Sequence, residues 1–205
     1  FFGIPAEDVK RMDMYYFYVL NSLLSFTRKV EGVSSFILHQ LILYGRNASK
    51  LTLFAPEAKL AGMSFQQFMM VDTFYTWYLQ TKKREYLKSM CCCLYLAEGD
   101  DFFKLDMDER LPYWNNCVAE ILDAALVQWS LIKAWLAESY PYLFPSGGDE
   151  TASKGKGGKV KVSNMWLEIF DTLVADDLTR IEAYKRLECM DVLRIVNGKI
   201  KNQKQ

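Results

Sequence analysis

The sequence predicts an all-α protein, an irregular helical bundle of about five to seven helices with a flexible linker before a C-terminal helical pair. Three observations carry this expectation. Prolines and glycines are scarce, 5 and 11 in 205 residues, and they cluster, as long helices require. Apolar residues recur at three- and four-residue steps over most of the chain. Two stretches carry the helix-opening signature of a hydroxyl residue followed three positions later by Gln or Glu.

The elements follow in order. Val9, Met12, Tyr16, Val19, Leu20 and Leu23 lie on one stripe of a helix over about 6–28. Val33, Phe36, Ile37, Leu41 and Tyr44 repeat the pattern and Gly45 is a natural stop, although 36–44 also reads as a buried strand. Residues 46–63 read as a connector with one short turn beginning at Pro56. In "GMSFQQF", Ser64 and Gln67 form a capping box, and Met63 and Phe68 occupy the two positions of a hydrophobic staple. The helix they open is expected to reach about Gln80. Thr81 is then expected to cap a helix that carries Cys91, Cys92 and Cys93 and stops at Gly99.

After the polar connector "EGDDFFKLDMDE", one long helix is expected. It aligns Trp114, Val118, Ile121, Ala125, Trp129, Ile132 and Leu136, has Pro112 near its first turn, and is ended by Pro141 and Pro145. Residues 145–162 hold five of the eleven glycines with Lys154, Lys156, Lys159 and Lys161, the composition of a flexible linker. Trp166, Ile169, Phe170 and Leu173 then form a short amphipathic helix. Thr179 and Glu182 open a last helix toward Lys201. The expected organisation is a main helical domain (1–144), the linker (145–162) and a C-terminal helical segment (163–205).

Composition narrows the function. The chain is 51% hydrophobic, with 13 Phe, 12 Tyr and 5 Trp, enough to bury a sizeable core. Lys plus Arg and Asp plus Glu balance at 25 each, which argues against a nucleic-acid partner and leaves self-association into a homo-oligomer unopposed. No apolar run approaches the roughly 18–20 residues of a membrane span. Five cysteines, three of them adjacent, do not suit a disulfide framework, so a reducing cytoplasm is the expected location.

Candidate sites are few. Successive helical residues point about 100° apart, so Cys91, Cys92 and Cys93 cannot converge on one metal ion, and no metal or cofactor is expected. They read as small hydrophobes of an interior helix, with a reactive or acylated thiol as the alternative. Asp72 falls on the stripe of Phe65, Phe68, Met69, Tyr75 and Leu79. It reads as a buried structural carboxylate partnered by Arg84, Lys10 or Arg11, with a catalytic carboxylate as the alternative. His39, the only histidine, reads as a buried core or interface residue. Glu98, Asp100, Asp101, Asp106, Asp108 and Glu109 lack the pattern of a calcium loop and read as a solvated connector. "GKGGK" has no preceding strand and no Ser or Thr after the lysine, so it is not a phosphate-binding loop.

The stretch "LAGMSFQQFMMVDTFYTWYLQTKKREYLKSMCCCLYLAEGDDF", followed by "YPYLF", resembles helical proteins encoded in the structural clusters of tailed phages and prophages. The layout of "WLEIFDTLVADDLTRIEAYKRLECMDVLRIVNGKI" is similar to the C-terminal helices of tail-assembly chaperones. The resemblance spans about residues 60–200 and implies assembly work without catalysis, with tail or virion proteins as partners. The expected function is therefore non-catalytic protein binding by an apolar helix in a groove, through Trp166, Ile169, Phe170 and Leu173. A structural subunit of a larger particle and an enzyme using Asp72 are the alternatives.

Overall fold

Ser64 starts the helix around which the other elements are arranged. A computed structural model describes residues 32–45, 49–144 and 181–203, together with Trp166, Ile169, Phe170 and Val174. The chain divides into two compact units, Phe1–Glu31 and Gly32–Gln205, and every described residue belongs to the second. The helix expected over 6–28, the linker at 145–162, Leu173 and the cap Thr179 lie outside the described residues.

The protein is mostly helical, but it is not all-α. Two strands, β1 (Gln40–Tyr44) and β2 (Lys50–Phe54), pair antiparallel with Gln40 opposite Phe54. The strand reading of 36–44 therefore prevails over the helical one, and from Gln40 onward. Two backbone bonds fix the phase of the ladder. Gly45 N donates to Ser49 O and Ala55 N to His39 O, each at 2.8 Å. Residues 39, 41, 43 and 45 thus turn their backbone groups toward β2, while Gln40, Ile42 and Tyr44 turn theirs outward. Leu41, Leu43 and Leu53 face the core, and Ile42, Tyr44 and Phe54 are exposed on the other face. A helix over 33–39 is displaced because Gln128 takes its backbone. The Gln128 side chain accepts from Ile37 N (2.9 Å) and donates to Ser35 O (3.1 Å). His39 is exposed rather than buried, a consequence of the extended backbone that carries it past the core.

Six helices with defined bounds follow among the described residues: α1 (Phe65–Thr81), α2 (Arg84–Leu94), α3 (Met107–Asn115), α4 (Ala119–Ser139), α5 (Ile181–Arg186) and α6 (Cys189–Gln203). Short 3-10 turns at Ala58–Leu60 and Phe102–Lys104 lie in the connectors. At the start of α1, Ser64 Oγ accepts from Gln67 N (3.2 Å). The capping box is only half made, because the Gln67 side chain donates instead to Cys93 O (2.9 Å) and so satisfies a carbonyl at the end of α2. The same end of α1 is stitched to the chain between α5 and α6. Phe65 N donates to Leu187 O and Cys189 N to Met63 O, at 2.8 and 2.9 Å.

Four expected boundaries move, each for a local reason. Thr81 closes α1 rather than capping α2: its hydroxyl donates to Trp77 O (2.7 Å), and Lys82 adopts the left-handed conformation with φ 58°. The cysteine helix ends at Leu94, five residues before Gly99, because Leu96 pairs with Phe54 in both directions (2.7 and 3.0 Å). The single long helix splits into α3 and α4. Pro112 lies inside α3, where its ring removes one backbone donor, and the chain leaves the helix at Asn116 through i→i−3 bonds. The last helix is divided by the bridge between Ser64 and Glu188.

Replacing Ser64 with Ala removes the side-chain acceptor that caps the head of α1. It is expected to lower stability by about 1 kcal/mol, read as a lower urea midpoint with an unchanged m-value.

Candidate functional site

Two stripes of α1 define the region of interest. The first faces the interior and holds Phe65, Phe68, Val71, Asp72 and Tyr75, all buried. The second holds Gln66, Met69, Met70, Thr73, Phe74 and Trp77, at the i, i+3, i+4, i+7, i+8 and i+11 positions of one helical face. A helix that is apolar on both faces is ordinarily enclosed on both. Here the second face is only half-buried.

On the inner stripe Asp72 is 3% exposed. Among the described residues its charged partner is not Arg84. Lys133 of α4 reaches both carboxylate oxygens, at 2.9 and 3.0 Å. Trp129, one turn before Lys133 on α4, donates its indole N–H to Oδ1 (3.3 Å), and Trp166 donates to Oδ2 (2.6 Å). A charge out of water costs several kcal/mol unless compensated, and here one cation and two N–H groups converge on it. Arg84 is spent at the surface on Asp123 (3.2 Å), while Lys10 and Arg11 lie outside the described residues.

Aromatic rings enclose this junction. Trp166 meets Phe68 and Phe65 edge-on, with centroids 5.0 and 6.2 Å apart, and Phe144 at 5.8 Å. Phe170 stacks on Phe65 at 6.4 Å. Lys133 stands 4.8 Å over the Phe144 ring, which packs its stem while the ammonium meets Asp72. Of the four residues expected to bind a partner, Trp166 and Phe170 are thus buried against this chain's own helices, Ile169 packs at the edge of the core, and Leu173 lies outside the described residues.

The outer stripe lines a groove of about 310 Å³. Met69, Met70, Thr73, Phe74 and Trp77 line its α1 side, Trp166 and Phe170 the opposite side, and Lys185 of α5 stands at the rim. The side-chain oxygen of Gln66 is buried there without a hydrogen-bond partner among the described residues.

The cysteines sit elsewhere. Cys91, Cys92 and Cys93 are all fully buried in α2, so that this end of the helix is surrounded on every side. Burial pushes the Cys92 thiol up to about 11 and raises Cys91, Cys93 and Cys189 as well; half-buried Cys117 is also raised by burial. A raised thiol is a poor nucleophile at neutral pH. No cluster of three His, Cys, Asp or Glu suited to a metal ion occurs among the described residues. Three of the six acids of 98–109 serve as caps or in ion pairs. Asp106 accepts from Asp108 N and Glu109 N, Asp101 accepts from Phe103 N, and Asp100 pairs with Arg110.

Comparison with family models, with curated proteins and with solved structures finds no match to this chain. No helix among the described residues is long and apolar enough to cross a membrane.

Three expectations rest on this geometry. Lys133→Met leaves the Asp72 charge buried and uncompensated, and is expected to cost about 3–5 kcal/mol in urea unfolding; adding Asp72→Asn to it recovers part of that loss, so the two changes are strongly non-additive. For the thiols, folded values raised above the ordinary value of 9 mean that the folded state holds its protons longer than the unfolded one. Stability is therefore expected to be level up to about pH 9 and to fall above it. At pH 8, iodoacetamide should modify Cys117 before the four buried thiols, as read by peptide mass spectrometry.

Proposed function

We propose that the protein is a non-catalytic interaction and assembly protein that receives an apolar helix of a partner in the groove along α1. The observation that carries this reading is the half-exposed second stripe of α1. Met69, Met70, Phe74 and Trp77 form a continuous apolar face that is only partly buried. Contiguous exposed apolar surface of this kind marks interaction sites. Methionine adds an adaptable, polarizable wall that accommodates partner side chains, and an apolar helix laid in a groove is a recurring recognition mode. Trp166 and Phe170 enter this reading as the far wall of the groove, held in place by Asp72 and Phe65.

The resemblance of residues 60–200 to helical proteins of tailed-phage structural clusters supports a tail or virion component as the partner. A second reading, a structural subunit of a larger particle, is supported by the outer face of the sheet. Ile42, Tyr44 and Phe54 are exposed there, and Ile37 just before β1 is 80% exposed. β1 carries no charged residue to discourage edge pairing.

The test is a photo-crosslinking amino acid at Thr73 in the full chain, with exposed Glu120 as the control position. A discrete adduct with one host or virion protein is expected from position 73 alone. Met70→Glu in the same chain should lower its yield on the order of tenfold. Equal labelling from the two positions would remove the groove from consideration.

A further inference from the structure

The charge around the groove says what kind of helix it takes. The groove runs along α1 from Gln66 to Trp77, eleven residues or ~16 Å at the helical rise. At its Gln66 end stands Lys185, on α5. That end is fixed by the bond from Phe65 N to Leu187 O, which brings the C-terminal end of α5 against the head of α1. The first turn of α1 itself contains no acidic residue, and the nearest carboxylate, Glu188, is engaged one turn earlier by Gly62 N (3.3 Å).

At the Trp77 end, the chain turns through Lys82 and Lys83. Thr81 Oγ1 donates to Trp77 O and accepts from Lys83 N, which holds Lys83 within a turn of Trp77. The Trp77 ring also meets Tyr86 of α2 at 5.3 Å, placing the start of α2 beside the same end. Both lysines are exposed. Lys82 stands 5.7 Å over the Tyr78 ring, and among the described residues Arg84 is the one of the three basic residues taken up by an acid, Asp123. Lys185 is paired with Glu182 at 2.6 Å, but the glutamate is 70% exposed. A surface pair of that kind is worth little and exchanges readily for a better-placed carboxylate.

Resting on the groove reading above, we propose that the partner segment is an amphipathic helix with an apolar stripe of about three turns and acidic side chains at both ends. Its apolar stripe lies against Met69, Met70, Phe74 and Trp77. One acidic end meets Lys185; the other meets Lys82 and Lys83. The cations supply orientation and encounter rate, and the apolar floor supplies most of the affinity. A basic amphipathic helix is disfavoured by the same groove, because like charges then meet at both ends.

The experiment uses the full chain and three fluorescein-labelled helical peptides with one shared apolar stripe, flanked at both ends by Glu, Gln or Lys. Anisotropy titration at low salt is expected to rank them Glu over Gln over Lys, with about tenfold between the first two, and the spread should shrink as salt screens the rim. The combined variant Lys82→Glu, Lys83→Glu and Lys185→Glu is expected to reverse the order while its circular dichroism stays unchanged. Equal affinity of all three peptides, weakened in common by Met70→Glu, overturns the acidic-helix inference and leaves the groove standing. Failure of all three to bind overturns the groove reading itself.

Discussion

A carboxylate on the inward face of an apolar helix is the constraint that organises this protein. Asp72 cannot be buried alone, and the groups that meet it come from far along the chain: Lys133 and Trp129 from α4, and Trp166 from beyond it. Those contacts fix the rotation of α1 about its own axis. Were α1 turned by one residue, about 100°, the carboxylate would leave its cation and the Phe68 ring would leave the Trp129–Trp166 cleft. A buried ion pair adds little net stability compared with well-packed apolar side chains. Its value here is selective, since it penalises every arrangement in which α1, α4 and Trp166 do not meet. The aromatic shell supplies the attraction, and Asp72 decides which shell is allowed.

Much of this was legible in the residues, and the limits of what was legible are physical. Ser64 and the stripe behind it located α1 to within a residue, because cap and periodicity agree there. The odd polar residue on that stripe identified Asp72 as buried and in need of a partner, but periodicity gives no information on contacts sixty residues away, and Lys133 was not named. Strand pairing in 40–54 was missed as the main reading because Leu41 and Tyr44 fit a three-residue step as well as a two-residue one. What settled it was Gln128, a side chain ninety residues on that takes the backbone groups a helix would have used. Gln67 does the same for the end of α2, and Asn197 for the turn after α4, where its side-chain oxygen accepts from Tyr142 N and Leu143 N at 3.1 and 3.0 Å. A buried amide that bonds backbone looks, in a sequence, like any other polar residue on a helix.

The groove was hidden for a related reason. In the sequence Met69 groups with the stripe of Asp72, and nothing sets Met70, Phe74 and Trp77 apart from other apolar helix residues, which are usually core. Only the fold shows that the other stripe of α1 already fills the core, with Phe65, Phe68 and Val71 fully enclosed. By contrast, the three cysteines that stand out most in the sequence are the most ordinary residues in the structure. They are buried along with Leu87, Met90 and Leu94 of their own helix, and burial raises their thiols.

On the proposed reading, the two faces of α1 divide the work between stability and recognition. Burying a large apolar side chain contributes on the order of 1.5–3 kcal/mol, and the inner stripe contributes several such terms together with the Asp72 junction. The outer stripe, being half-exposed, contributes a smaller share of its area to folding. Polar substitutions on the outer stripe therefore remove apolar surface that the folded chain has not fully used, whereas the same substitutions on the inner stripe open the core. Trp166 couples the two faces. It wedges between Phe65 and Phe68 on one side, bonds Asp72, and presents its remaining surface to the groove. A side chain that is fixed by a buried carboxylate loses little further freedom when a partner arrives, and a wall that is rigid before binding loses less affinity to ordering than a mobile one. The interior charge thus reaches the wall of the groove through one indole ring.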